Sequence, residues 1–202
     1  RTNPQCNSHI SEGWQVRKVS EIVVDRWDDF VNLSPDDMGK VTKLVLRNGA
    51  LSHFRAQQLV EKLEDWKILR TLDVRNNNLD ESCGVAFAKE LASNSTIQSV
   101  DFGKNSFGEQ AGVAFGKMLE TNKTIRIFIM DKNRLGEESG VAIATGITQH
   151  PSLYFLRLSE NNFADKSGKQ FALALCTNTW LRVLDLRCNY LGESGTEFGD
   201  VL

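Results

Sequence analysis

The 202-residue sequence is poor in proline, histidine and cysteine, with three, three and four copies, and it has no long apolar run. No stretch approaches the roughly 18 consecutive apolar residues of a membrane-spanning helix, so we expect no membrane insertion. Positive charge is not in surplus, because 24 lysines and arginines stand against 26 acidic residues. The formal net charge of −2 argues against a protein that binds nucleic acid by neutralising phosphates.

The four cysteines, Cys6, Cys83, Cys176 and Cys188, show no paired spacing. This scatter predicts free thiols and a reducing, cytoplasmic compartment. Cys6 and His9 are close in sequence, but two ligands fall short of the four that a structural metal site needs. We therefore predict no metal and no cofactor.

Catalytic motifs are also missing. The sequence contains neither G-x-x-x-x-G-K-[ST], which cradles phosphates, nor H-E-x-x-H, which binds zinc. His9, His53 and His150 lie in different repeats or in the N-terminal tail, so no Ser/His/Asp or Cys/His constellation can be argued. His150 precedes Pro151 at a position where other repeats have asparagine, which indicates a surface turn. We predict that the protein is not an enzyme.

A repeated pattern dominates the rest of the chain. Residues 69–79 read L-x-x-L-x-L-x-x-N-x-L, and the pattern recurs with a constant 28-residue step. Six copies begin at Val41, Leu69, Ile97, Ile125, Leu153 and Leu181. Self-similarity at a fixed period is the signature of a repeat architecture, in which each unit buries its apolar side against its neighbours.

Each repeat combines a short strand with a helix. Because strand side chains alternate, the two apolar positions of the L-x-L core point inward and their neighbours point outward. The inward pairs are Leu44/Leu46, Leu72/Val74, Val100/Phe102, Phe128/Met130, Leu156/Leu158 and Leu184/Leu186. The asparagine that follows each pair is expected to bond backbone groups of the bend. Small residues at the Ala88 position should let the helix approach the strand layer, and acidic residues at the helix starts should complement the helix dipole.

The two ends of the array are atypical. Apolar residues in 10–32 follow helical spacing and predict an amphipathic helix that covers the first repeat, with a turn or helix start at residues 34–37. We assign residues 1–40 to an N-terminal tail and cap, and residues 41–202 to six repeats. The last repeat stops within its helix, at 195–202, and the chain opens on Arg1, so we expect a fragment or a processed product.

These residues resemble the ribonuclease-inhibitor-like subclass of leucine-rich repeats. The resemblance covers Val41 to Leu202 and rests on the 28-residue step, the strand pattern and the full helix. It implies an α/β solenoid, a horseshoe with a parallel concave sheet and outer helices. Members of the subclass almost all bind another protein, which makes a scaffold with a protein partner the expected function, in signalling or in a cytoskeletal or ciliary structure. Fold does not choose among these partners.

The outward strand positions define the expected binding face. Asp73 and Asp101 are neighbours one repeat apart and flanked by arginines, which allows a solvated lattice of ion pairs. An apolar cluster on the later strands is unusual on a face that should be polar, and it marks either a protein contact or a surface covered by another segment. The candidate protein-binding residues are Asp73, Arg75, Asp101, Ile127, Ile129, Asp131, Tyr154, Phe155, Arg157, Asp185 and Arg187.

One alternative function involves a GTPase. Residues 131–135, Asp-Lys-Asn-Arg-Leu, are similar to a loop of the Ran GTPase-activating protein, in which residues are positioned on the active site of the partner. Arg134 would then act on the bound GTPase. Against this, Asn133 belongs to the repeat consensus, and neither the longer irregular repeats nor the strongly acidic tail of that family is present.

Overall fold

A computed structural model describes residues 21–23, 27–32 and 39–192. The turn predicted at residues 34–37 and the helix predicted at 195–202 lie outside this part of the chain. Within it, the strands are β1 (Glu21–Val23), β2 (Lys43–Val45), β3 (Thr71–Asp73), β4 (Ser99–Asp101), β5 (Ile127–Ile129), β6 (Phe155–Arg157) and β7 (Val183–Asp185). The helices are α1 (Trp27–Val31), α2 (His53–Lys62), α3 (Glu81–Ser93), α4 (Glu109–Thr121), α5 (Glu137–Ile147) and α6 (Asp165–Thr177). A short 3-10 turn, Leu63–Asp65, follows α2.

The described strands form one parallel sheet in chain order, β1 to β7. Parallel neighbours need a crossover connection, and from β2 onward each crossover contains one helix. From β2 onward, equivalent residues of successive repeats are register partners, so that Thr71 pairs with Ser99 and Ser99 with Ile127. The fold is therefore an α/β leucine-rich repeat solenoid, as the period predicted.

The core lies between the sheet and the helices. The predicted inward pairs from β2 to β6 are all fully buried, whereas Leu184 and Leu186 on the last described repeat are only partly buried. Phenylalanines concentrate in the middle repeats, where Phe102 has four aromatic neighbours with ring centroids 5.1 to 6.1 Å away. Burial of each such ring contributes roughly 1.5–3 kcal/mol, which makes this cluster the densest source of stability in the array.

The asparagine ladder is confirmed. The Asn77 side-chain oxygen accepts the N–H groups of Gly49 and Leu51, each at 3.0 Å, and its amide nitrogen donates to the carbonyls of Leu46 and Val74, each at 2.7 Å. The same pattern recurs at the later ladder positions, Asn105, Asn133, Asn161 and Asn189. Each asparagine satisfies backbone groups that turn away from the sheet, and it does so across two repeats.

The single helix predicted over residues 10–32 is wrong at residues 21–23, which form β1 beside β2. An uncovered edge strand presents unpaired N–H and C=O groups, and a further strand satisfies them. Pairing with the open edge of β2 therefore determines the structure of residues 21–23, although the apolar spacing of this segment predicts a helix. Helix remains at α1, Trp27–Val31.

Helix α1 packs against the first repeat. Trp27 and Phe30 are buried, and the Phe30 ring stacks on Trp66 with centroids 6.0 Å apart. The Arg55 guanidinium lies 5.6 Å from the centroid of the Trp27 ring, within the range of a cation–π contact. These contacts shield the first layer of the core from water.

Helix packing adds to another expectation. Small residues at the Ala88 position were expected to bring each helix close to the strands. At Gly116, however, an added Cβ would lie 2.5 Å from the backbone carbonyl carbon of Ala142, on the next helix. The missing side chain therefore lets α4 and α5 approach each other.

Candidate protein-binding face

Three columns of outward side chains run across the sheet. The register places equivalent residues of adjacent strands side by side, about 4.8 Å apart. The first column is Lys43, Thr71, Ser99, Ile127, Phe155 and Val183, and the second is Val45, Asp73, Asp101, Ile129, Arg157 and Asp185. The third, just after the strands, is Arg47, Arg75, Gly103, Asp131, Ser159 and Arg187.

The first column changes character halfway along. It is polar from β2 to β4 and apolar from β5 to β7, where Ile127, Phe155 and Val183 are successive register partners. Ile127 and Phe155 are half-buried, and Val183 is 41% exposed. Ile129 extends the stripe into the second column. The structure thus brings together the apolar residues that the sequence singled out.

Tyr154 lies at the edge of this stripe. It precedes β6 by one residue and is 42% exposed. Its backbone N–H donates to the carbonyl of Arg126, the equivalent residue of the preceding repeat. Tyr154 therefore flanks the apolar stripe at the beginning of the strands.

Two of the candidate carboxylates are buried and hold neighbouring groups. Asp73 is 4% exposed and forms an ion pair with Arg47, whose Nε lies 2.9 Å from Oδ2. Its other oxygen accepts the Arg75 N–H at 3.2 Å. The ion pairing predicted for Asp73 is present, but the carboxylate is buried and not solvated as expected.

The second buried carboxylate lies in the later repeats. Asp131 is 7% exposed, and its Oδ1 accepts both the backbone N–H and the hydroxyl of Ser159 at 2.9 Å. Its Oδ2 lies 2.5 Å from a guanidinium nitrogen of Arg157. These contacts fix Arg157 beside the apolar stripe.

The last strand adds a second arginine. The Arg187 guanidinium bonds both oxygens of Asp185 at 2.7 and 2.9 Å, and its side chain remains 80% exposed. The Arg187 hydrogen bond, opposed by burial, holds the pKa of Asp185 below its usual value. Arg157 also approaches this carboxylate, at 3.8 Å.

Asp101 differs from these carboxylates. It accepts the Gly103 N–H at 2.9 Å, but within residues 39–192 it forms no salt bridge. Burial, together with the neighbouring Asp73 charge, raises the pKa of Asp101 above its usual value despite opposing arginines. Asp101 is thus an incompletely compensated negative charge on this face.

The segment resembling a GTPase-activating loop is part of the repeat scaffold. Asp131 is engaged as described above, and Asn133 is buried in the ladder, where its amide donates to the carbonyls of Phe102 and Met130 at 3.1 Å. The Arg134 side chain is exposed, and its backbone N–H donates to the carbonyl of Phe107. The repeat itself therefore explains this motif.

Two histidines were misjudged from the sequence. His53, which stands alone in the sequence, contacts Asp80 and Cys83 of the next repeat. His150 is fully buried, so the predicted surface turn is wrong. Its Nδ1 accepts the N–H groups of Ser152 and Leu153, as the asparagines of the other repeats do. The repeat alignment was the signal for both, since equivalent positions of adjacent repeats become spatial neighbours.

An apolar cavity of about 480 Å³ lies at the last described repeat. It is lined mainly by core-position leucines, including Leu181, Leu184, Leu186 and Leu191. In each earlier repeat the following repeat covers the equivalent positions. The cavity therefore lies on the stacking surface of the array, and it shares Val183 and Arg187 with the face described above.

Comparison with known proteins supports the fold. A family profile described as Leucine Rich repeat matches residues 177–197. A solved structure of "Leiomodin-1 Actin-Binding Site 2 (ABS2)" is similar with a TM-score of 0.58 and 21% identity, over 76% of this chain and 89% of that one. No curated protein matches the chain. These matches give no support to the GTPase-activating alternative.

None of the helices within residues 27–31 and 53–177 has both the length and the apolar character that a bilayer crossing requires.

Proposed function

We propose that this chain is a protein-interaction module whose concave face binds a protein partner through its later repeats. The observation that carries the proposal is the uninterrupted apolar stretch Ile127, Phe155 and Val183 of the first column, which Ile129 widens and which charged residues of the other two columns border. Three strands at this spacing give a stripe about 10 Å long, enough to seat one or two apolar side chains of a partner. Exposed apolar stripes rimmed by charge are typical of protein interfaces.

The charges beside the stripe define the chemistry of the partner. Arg157 is held by a buried carboxylate, so little conformational entropy is lost when it contacts a partner. Arg187 is paired with Asp185 through two of its nitrogens, but its side chain is 80% exposed, and its third guanidinium nitrogen favours an acidic group of the partner. Asp101 lies beside Ile129 in the register and favours a basic group, which would relieve its incompletely compensated charge. The proposed contact set also includes Arg75, Tyr154 and Asp185, with Asp73 and Asp131 in supporting positions.

The proposal also includes the repeat subclass, the domain boundaries and the cellular setting. The 28-residue step with a full helix favours the ribonuclease-inhibitor-like subclass, with a cap in residues 1–40 and repeats in 41–202. None of the three described cysteines is in a disulfide, which is consistent with a reducing, cytoplasmic setting. A cytoskeletal or ciliary scaffold would fit such a setting.

A double substitution tests the proposed face. Ile129→Ser with Phe155→Ser removes two apolar contacts without touching the buried core, and we expect the affinity for the partner to fall at least tenfold. The matched control is Leu173→Ser, because Leu173 is 62% exposed on α6, on the opposite side of the solenoid. The measurement is an affinity pull-down with mass spectrometry, followed by titration of the proteins that wild type and control retain.

Actin is the first partner to titrate, because the similar leiomodin-1 structure is that of an actin-binding site. A partner that binds the double variant as tightly as it binds wild type, with the fold intact by circular dichroism, contradicts the proposed face. If actin does not bind, the pull-down comparison of the double variant with wild type and control decides the test.

A further inference from the structure

Three potential metal ligands meet at the junction of the first two repeat helices. His53 is the first residue of α2, Asp80 precedes α3 as its N-cap, and Cys83 lies in the first turn of α3. The His53 Nδ1 lies 3.0 Å from Asp80 Oδ2 and 3.4 Å from Cys83 Sγ. One donor atom from each residue falls within 4.8 Å of the other two. Stacking of adjacent repeats creates this cluster from residues that are far apart in the sequence.

At the later helix junctions, the residue at the His53 position has a purely structural role. There the residue equivalent to His53 is a glutamate that caps the next helix: Glu81 accepts the Gln110 N–H at 2.7 Å, and Glu109 accepts the Ser139 N–H at 3.1 Å. The residues equivalent to Asp80 are Gly108, Gly136 and Ala164, and those equivalent to Cys83 are Ala111, Ser139 and Ser167.

At the first junction the capping is done differently. Asp80 caps its own helix by accepting the Cys83 N–H at 3.1 Å, so His53 is not needed as a cap. All three positions therefore differ from the later repeats, and each carries a nitrogen, oxygen or sulfur ligand. Helix capping accounts for Asp80 but not for the histidine or the thiol.

We propose that His53, Asp80 and Cys83 form a binding site for a thiophilic divalent cation of the zinc type. Zinc accepts imidazole nitrogen, carboxylate oxygen and thiolate sulfur at about 2.0–2.3 Å, and tetrahedral coordination then separates the ligands by roughly 3.3–3.8 Å. The two distances to His53 Nδ1 are close to these values. With three protein ligands, a water molecule supplies the fourth position.

Neighbouring groups orient the ligands toward a common point. The Gln57 amide nitrogen lies 3.1 Å from His53 Nε2. With the amide turned by 180°, its oxygen accepts a hydrogen bond from Nε2–H, which leaves the Nδ1 lone pair for the metal. Asp80 Oδ1 accepts bonds from the Cys83 N–H and, at 3.0 Å, from the Ser82 hydroxyl, so Oδ2 is left for the cation. Such supporting contacts are characteristic of metal sites.

The sulfur must lose a proton when the cation binds. Burial, together with the Asp80 charge, raises the pKa of Cys83 to about 11, so the thiol is protonated at neutral pH. Metal binding replaces the S–H bond by a sulfur–metal bond and releases one proton to solvent. The cation also offsets the carboxylate charge that disfavours the thiolate.

Cobalt(II) is the probe, because a thiolate ligand gives it a charge-transfer absorption in the near ultraviolet. The titration uses the full chain under reducing conditions, with Cys6, Cys176 and Cys188 replaced by serine so that Cys83 is the remaining thiol. We expect saturable absorption at one cobalt per chain, displaced by zinc. Cys83→Ser should abolish the absorption, and His53→Ala should raise the dissociation constant at least tenfold.

Asp80→Asn is the most discriminating variant, because asparagine still caps α3 but loses the charged oxygen ligand. We expect it, too, to weaken cobalt binding at least tenfold while the helix content stays unchanged by circular dichroism. Two results would overturn the site. One is the lack of any cobalt absorption in the parent protein, and the other is absorption that His53→Ala and Asp80→Asn leave unchanged, which identifies adventitious binding to a lone thiol.

Discussion

His150 occupies a position that asparagine holds in the neighbouring repeats. At Asn122 the amide nitrogen donates to the carbonyls of Leu91 and Asn94 at 2.7 and 2.9 Å, linking two repeats. The imidazole reproduces the acceptor half of this pattern through Nδ1. Its Nε2 is buried, and within the part of the chain that the structure describes it forms no hydrogen bond of acceptable geometry, although the Asn122 backbone lies close enough to raise the pKa of the ring against the effect of burial. A buried donor without a partner costs about 1–3 kcal/mol.

We therefore expect His150→Asn to stabilise the protein by about 1 kcal/mol at pH 7. The new amide can reach the carbonyls of Leu119 and Asn122, which are equivalent to the two carbonyls that Asn122 itself bonds one repeat before. Urea denaturation of wild type and variant at pH 7 measures the difference. An unfolding free energy equal to or below that of wild type would show that the imidazole is better accommodated than its unpartnered Nε2 indicates.

Acid should widen this difference. Burial, and secondarily the Lys123 charge, lower the pKa of His150 from 6.5 to about 4 in the folded protein. The unfolded chain therefore binds a proton that the folded chain does not, and stability falls as the pH decreases from about 6.5 to about 4. His150→Asn removes this loss, so its advantage over wild type should be larger at pH 5 than at pH 7. An advantage that does not change between the two pH values would contradict the assignment.

Among the structural elements, the helices depend on one another at their first turns. Helices α4, α5 and α6 begin after Gly108, Gly136 and Ala164, and none of these supplies a side-chain cap. The glutamate of the preceding helix does so instead. Glu137 accepts the N–H groups of Lys166 and Ser167 at 2.5 and 3.3 Å. The acidic residues were predicted to act on their own helix dipole, and the structure adds this bond to the next helix.

Glu137→Ala should lower the free energy of unfolding by about 1 kcal/mol, because it leaves the first N–H groups of α6 without a cap. Glu137→Gln keeps an acceptor oxygen and should cost less. Glu138→Ala is the control, since Glu138 is adjacent and exposed and its ion pair with Lys166 is long, at 3.7 Å. Urea denaturation measures all three variants. Equal losses for Glu137→Ala and Glu138→Ala would refute the capping between helices.

For the whole molecule, Phe102 joins three successive repeats. Its ring contacts Phe87 of the preceding helix, Phe107 and Phe115 of its own repeat and Phe128 of the next strand. In a solenoid, stability is a sum of repeat and neighbour-interface contributions, so a residue shared by several interfaces has a large effect.

Phe102→Ala is therefore expected to cost about 3–5 kcal/mol. Phe54→Ala is the matched control, because Phe54 is 67% exposed on α2, and it should change stability by no more than about 0.5 kcal/mol. Denaturant unfolding gives both values, and hydrogen exchange should show the greatest loss of protection in β3 to β5. Similar costs for the two variants would exclude a central role for the aromatic cluster.

The repeat period predicted the fold because every repeat must bury the same apolar positions against its neighbours. It placed the strands, the inward pairs and the asparagine ladder, and it identified Ile127, Ile129 and Phe155 as one surface. It could not show that Asp73 and Asp131 are buried, because their burial depends on which arginines fold over them. Nor could it predict β1, because the pairing of residues 21–23 with an open sheet edge depends on the tertiary structure and produces no recognisable spacing in the local sequence. The His53 cluster was missed because its members were read within repeats and not between them.

The central claim is that the apolar column of the later strands contacts a protein partner. Site-specific photo-crosslinking tests it directly, with p-benzoylphenylalanine introduced in place of Phe155 on the concave face or of Leu173 on the outer helix. With the partner identified by pull-down, we expect crosslinking from position 155 and little or none from position 173. Crosslinking that is equal at both positions, or stronger from position 173, would contradict the account.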